Sequence, residues 1–141
     1  MIILDTDHIV VLKYSHASDK ATLTASMAAS PDQDFVTTVI TLEEQLRGWL
    51  ALIHRSNDAN RQVSPYAKLN DVVDYFSRWT RLAFDDAAAD WFKDLRHQKV
   101  RVATMDLKIA AIALAHNASL LSANLRDFEQ VPNLHVEDWL H

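Results

Sequence analysis

The chain has no cysteine and only one glycine, Gly48, among 141 residues. Without cysteine it can form no disulfide, thiolate nucleophile or cysteine-ligated zinc, which leaves its carboxylates and seven histidines as candidate metal ligands. A single glycine excludes the phosphate-cradling P-loop and the dinucleotide-binding fingerprint, each of which needs at least two glycines at fixed spacing. No apolar run is long enough to cross a bilayer, and the opening "MIIL" reaches Asp5 too soon for a secretory leader, so a cytoplasmic, non-membrane protein is expected. Positive charge is also scarce. With 14 Lys and Arg against 19 Asp and Glu, the net charge of −5 argues against a broad electrostatic footprint on nucleic acid. A nucleic-acid enzyme of this charge needs metal ions and a local basic rim.

What is present, 49% apolar and 23% charged residues, fits a single globular domain over 1–141. Short β-branched or apolar runs alternate with longer helical patterns. The candidate strands are "IIL" before Asp5, "FVTTVI" at 35–40, "RLAF" at 81–84, "SLLSA" at 119–123 and "LHV" at 134–136. Helices are expected near 8–14, 18–29, from Thr41 onward, at about 66–80, over "DDAAADWFKDLRH" and from Asp106 to His116. In the third, Leu42, Leu46, Trp49, Leu50 and Ile53 recur as one buried stripe requires. Asp85 or Asp86 caps the fifth, and Asn117 closes the sixth in a left-handed conformation. "HRSNDANRQVSP" is the most polar connection, a loop or a helix–helix elbow. This alternation implies an α/β fold with a parallel sheet covered on both faces by helices.

Ligands in open parallel sheets bind outside the carboxyl ends of the strands. Asp5 ends the first strand and Asp7 follows two residues later; Glu44 follows the second strand, Asp106 opens the helix leading into "SLLSA", and Asp127 follows that strand. Each has an ordinary structural explanation. "TLEE" is a capping box in which Glu44 bonds the Thr41 N–H, Asp106 suits a first helical turn, Asp127 suits a turn, and Asp5 or Asp7 can cap a helix. Together, carboxylates converging on one rim would repel and raise one another's pKa, a conflict that a divalent cation resolves. An all-oxygen donor set suits Mg²⁺ or Mn²⁺. Gly48, one turn beyond Glu44, leaves room on that face. His8, inside an apolar run, reads as a packed residue, and His16, His54, His97, His116, His135 and His141 are scattered and receive no catalytic role.

"LDTD", "ITLEEQLRG", "MDLKIAAIALA" and "LLSANLRDFEQVPNLHVEDW", in this order and spacing over nearly the whole chain, resemble the PIN-domain ribonucleases, specifically the VapC-type toxins of toxin–antitoxin pairs. The resemblance implies a three-layer α/β/α fold with a central parallel sheet, one or two Mg²⁺ or Mn²⁺ ions, endonucleolytic cleavage of RNA, a homodimer and a cognate VapB-like antitoxin. It implies Asp5, Glu44 and Asp106 as the central acids and Asp127 as the fourth, all metal ligands. Thr6, Asp7, Thr104, Ser122 and Asn124 are candidates for orienting those carboxylates, and Lys99, Arg101, Lys108 and Arg126 for a basic rim against RNA. Asp7 stands where the family often has Asn, which adds a carboxylate, and Ser122 where Thr is common. Two other readings compete: a PIN-like binding module that holds metal without cleaving, and a haloacid-dehalogenase-type phosphatase with Asp5 as nucleophile, for which Ile9 departs from the expected Thr or Val.

Overall fold

The computed structural model describes residues 1–14 and 17–141; His16 lies outside the described residues. The elements follow in the order β1 (Ile2–Leu4), α1 (Thr6–Tyr14), α2 (Ala17–Ala29), β2 (Phe35–Thr38), α3 (Val39–His54), α4 (Ala59–Ser77), β3 (Arg81–Leu82), α5 (Asp86–His97), α6 (Thr104–Ala115), β4 (Ser119–Leu121), α7 (Leu125–Phe128) and β5 (Val136–Glu137). All strand pairings are parallel, in the order β3-β2-β1-β4-β5. The chain therefore builds outward from β1 to β3 and then crosses back to add β4 on the other side of β1. The reversal lies between β1 and β4, where the connecting segments leave in opposite directions, the place at which ligands bind in open parallel sheets.

Alternation along β1 sorts the two faces of the sheet. Ile3, Val36 and Leu120 pack with Leu95, Leu107, Ile109 and Ile112 under α5 and α6, whereas Ile2, Leu4 and Leu121 pack with Ile9, Val72 and Phe76 under α1 and α4. The result is the expected three-layer α/β/α arrangement. Ile109 through Ala113 are all fully buried because α6 is wrapped on several sides, by the sheet and by α5.

The strands are shorter than the apolar runs that predicted them. "FVTTVI" divides at Thr38, because Thr38 Oγ1 accepts the Thr41 N–H at 3.1 Å and starts α3 at Val39. The Thr41–Glu44 capping box is therefore not formed: Thr41 is buried inside the helix. "RLAF" contributes only Arg81 and Leu82 to the sheet, "SLLSA" stops at Leu121, and the last strand is Val136–Glu137 rather than 134–136. Most of "HRSNDANRQVSP" is helical. Asp58 caps α4 by accepting from the Asn60 N–H at 3.1 Å, and the helix continues through Pro65. The elbow is confined to the four residues between His54 and Ala59. Asp85, not Asp86, caps α5, and Asn117 takes the left-handed conformation at φ 50°. The third helix also buries less than its periodicity predicts: of the expected stripe only Ile53 is fully buried and Leu50 is exposed, and on α4 Tyr66 and Val73 are exposed as well.

Candidate active site

The acids gather at the switch point. Asp5 ends β1, and its backbone N–H still donates to Leu121 O at 2.9 Å, so its side chain emerges at the rim between β1 and β4. It is buried, and both carboxylate oxygens are engaged: Oδ1 accepts the Thr6 N–H at 2.7 Å and Oδ2 accepts Ser122 Oγ at 2.8 Å. Burial first, and the negative charge of Asp7 second, push the Asp5 carboxyl from 3.8 up to about 7.

Glu44 approaches from the first turns of α3. Thr6 Oγ1 donates to its Oε2 at 3.3 Å, while Oε1 is buried with no hydrogen-bond partner. Such an orphaned acceptor is costly unless a ligand engages it. Asp106 enters from the first turn of α6. Burial raises the pKa of both, followed for Glu44 by the charge of Asp106 and for Asp106 by the charge of Asp127. Asn124 ties the last two acids together, donating through Nδ2 to Asp127 Oδ2 at 3.0 Å and to Asp106 Oδ2 at 3.4 Å. The expected four acids thus influence one another electrostatically across the ends of β1, α3, α6 and α7.

The donor chemistry fits a hard divalent cation. Every candidate ligand is a carboxylate oxygen, one buried oxygen is unpaired, and burial, with mutual repulsion second, raises the pKa of three acids. Among the described residues, no three acidic or histidine side chains yet surround a single point at ligand distance. Mg²⁺ does not require that, since it commonly takes one or two carboxylates and completes its shell with water and substrate oxygen.

The remaining candidates divide. Ser122 and Thr6 do bond to acids. Asp7 does not point freely into the centre: Oδ2 accepts the Ala123 N–H at 2.8 Å and lies 3.3 Å from Ser122 Oγ, and Oδ1 pairs with His8 Nδ1 at 2.6 Å. Thr104 bonds no acid. It is exposed, and Arg96 Nη2 donates to its Oγ1 at 2.7 Å. Arg96, whose guanidinium also lies 5.3 Å from the Phe92 ring centroid, is a basic residue beside the start of α6 that sequence spacing did not single out. Lys99, Arg101 and Arg126 are exposed, and Lys108 Nζ lies 5.7 Å from the Phe84 ring centroid. Among the described residues, none of these five cations is in an ion pair with a carboxylate. Gly48 borders, with Glu44, Gln45, Trp49 and Leu52, a shallow groove beside the acids. A Cβ on Gly48 would meet nothing within 4 Å, so its side is open whether or not the residue is glycine.

A three-layer parallel sheet in the order 3-2-1-4-5, with acids at its switch point, is the arrangement expected of a PIN-like fold. No protein-family model matches the chain. Sequence relatives do: Ribonuclease VapC1 of Rickettsia felis is 29% identical over 139 residues, 96% of this chain and 93% of that protein. The tRNA(fMet)-specific endonuclease VapC of Salmonella typhimurium is 31% identical over 85 residues, 57% of this chain and 64% of that protein. Among solved structures, a chain of VapBC-1 from nontypeable Haemophilus influenzae superposes with a TM-score of 0.73 at 21% identity over all of both chains. One from the DNA-bound VapBC2 complex of Rickettsia felis gives 0.69 at 24% identity over 99% of each. The chain is thus similar over nearly its whole length to proteins named VapC ribonuclease, and it shares the fold of chains in VapBC complexes.

Proposed function

We propose that the chain is a Mg²⁺- or Mn²⁺-dependent endoribonuclease, the toxin of a type II toxin–antitoxin pair. The observation that carries this reading is the buried Asp5 carboxyl at the switch point, held by two donors yet still raised to about 7 amid other acids. Asp5 and Asp106, with Glu44 and Asp127, would hold the ion. When bound, it supplies positive charge to a phosphodiester and lowers the pKa of water for attack on phosphorus.

The chain's own groups prepare that arrangement. Ser122 and the Thr6 N–H fix the direction of Asp5, Asn124 spaces Asp106 from Asp127, and Thr6 turns Glu44 toward them. Arg96, Lys108 and Arg126, without carboxylate partners among the described residues, are suited to backbone phosphates on either side of the scissile bond. The likeness to proteins named ribonuclease favours RNA hydrolysis over a phosphomonoesterase and over a binding module that cleaves nothing. A VapB-like antitoxin and a second copy of the chain are the proposed protein partners. Exposed Val63, Tyr66 and Val73 on α4, and Val39, Leu50 and Leu52 on α3, give apolar surface for them.

The test is incubation of purified protein with total RNA in Mg²⁺, in Mn²⁺ and in EDTA, beside Asp106→Asn. Discrete fragments that need the cation and vanish in the variant support the reading. No cleavage by folded, antitoxin-free protein refutes it.

A further inference from the structure

We propose that His8 is a positioning residue: it locks Asp7 onto the β4 rim, out of the cation's reach, and ties that lock to the C-terminal segment. The proposal rests on the nuclease reading given above. His8 is fully buried on α1. Its Nε2 accepts the backbone N–H of Trp139 at 3.2 Å, so Nε2 carries no proton and the ring proton sits on Nδ1. Nδ1 then donates to Asp7 Oδ1 at 2.6 Å. Asp138 Oδ1, at 3.8 Å from Nε2, is too far to compete.

With Oδ2 already bonded by the Ala123 N–H at 2.8 Å, His8 completes a two-donor clamp on Asp7 that leaves the single Ser122 hydroxyl proton to Asp5. This gives the carboxylate at position 7 a role distinct from that of Asp5, although both emerge from the same strand end. The clamp also protects Asp5. Ser122 Oγ donates to Asp5 Oδ2 at 2.8 Å and reaches Asp7 Oδ2 at only 3.3 Å, so an Asp7 released from His8 would compete for the hydroxyl that orients the buried acid. Trp139 in turn is fixed by its ring, which packs edge-on against Phe35 with centroids 6.2 Å apart, and by its indole N–H, which donates to Glu137 Oε2 at 2.7 Å. Removing Trp139 would therefore reach the acids through one imidazole.

Two amides divide the functions of the ring. The amide nitrogen of Asn falls near the position of His Nδ1, and the amide oxygen of Gln near Nε2. His8→Asn should keep the bond to Asp7 and release Trp139, whereas His8→Gln should keep Trp139 and release Asp7. The measurement is amide hydrogen exchange at Ala123 and Trp139 in both variants, with nitrogen shifts of the wild-type imidazole, RNA cleavage and melting temperature. The expected result is an Nδ1–H tautomer in the wild type. It also requires Ala123 to exchange faster only in His8→Gln, with a cleavage loss of about tenfold or more in that variant and within about threefold in His8→Asn. An Nε2–H tautomer, equal loss of cleavage in both variants, or an unchanged Ala123 amide in His8→Gln would overturn the proposal. If the wild type cleaves no RNA, the amides and tautomer still decide the role of His8, and the failure falls on the nuclease reading alone.

Discussion

Asp5→Asn should make the cation-free protein more stable while abolishing its activity. The folded chain holds the Asp5 carboxyl at about 7, whereas the unfolded chain releases its proton near 3.8. Between those values the folded state binds the extra proton, so this group's contribution to stability falls as pH rises from about 4 to 7 and is flat above. At about 1.4 kcal/mol per pH unit, the gap corresponds to about 4 kcal/mol of destabilisation at pH 8. Asparagine removes the charge without changing the shape. Its oxygen can accept the Thr6 N–H, and its amide can donate to Ser122 Oγ while that hydroxyl rotates to donate to Asp7. The assay is thermal unfolding of both proteins in EDTA across pH 4.5 to 8, read as the difference between them so that all other groups cancel. Asp5→Asn should melt slightly above the wild type at pH 4.5 and further above it at pH 8. Even a quarter of the full effect, about 1 kcal/mol, would raise the melting temperature by roughly 3 °C in a chain of this size. Mn²⁺ should then close the gap from the wild-type side only. A difference that does not grow with pH, or a variant less stable than wild type at pH 8, would refute the claim that burial and repulsion strain this carboxylate.

Other consequences follow from single contacts. Gly48→Ala should stabilise by about 0.5–1 kcal/mol, since the residue lies inside α3 and its Cβ would enter open space; a loss in denaturant midpoint would show instead that the position is crowded. Thr38→Ala should cost about 1 kcal/mol by removing the cap that starts α3, measured by urea unfolding, whereas alanine at Asp86, which caps nothing, should cost little. Arg96→Ala should raise the KM for RNA more than it lowers kcat, with a shallower salt dependence, because the side chain is proposed to meet phosphate rather than reacting atoms; an unchanged KM would remove it from the RNA surface.

The parallel sheet and its two helical layers were legible because the apolar runs are β-branched and short and the helices α3, α4 and α5 between them amphipathic. Boundaries were not, and Thr38 shows why. "FVTTVITLEE" contains three threonines able to cap, and only the register of β2 against β1 and β3 selects the second. The polar "NRQVSP" hid the start of α4 because its exposed face carries no apolar period and Pro65 argues against helix; packing of Val72 and Phe76 further along sustains it. At the site, the acids stand out in the sequence by following strand ends. What they touch does not. Asp5 and Asp7 look equivalent in "LDTD", yet one emerges buried against Ser122 and the other faces His8 and Ala123, a distinction that depends on β4 lying beside β1, more than a hundred residues away in sequence. Thr104 looked like a partner for Asp106 by proximity along the chain, but the helix turns it outward to Arg96.

One cluster of carboxylates is proposed both to bind a divalent cation and to cut RNA. This is tested most directly by titrating Mn²⁺ while following bound ion by electron paramagnetic resonance and cleavage of one RNA in the same samples. Cleavage should rise with occupancy of the bound ion, and Asp106→Asn should lose both together. Full cleavage in EDTA, or tight Mn²⁺ binding in a folded wild-type protein that cuts no RNA, would contradict it.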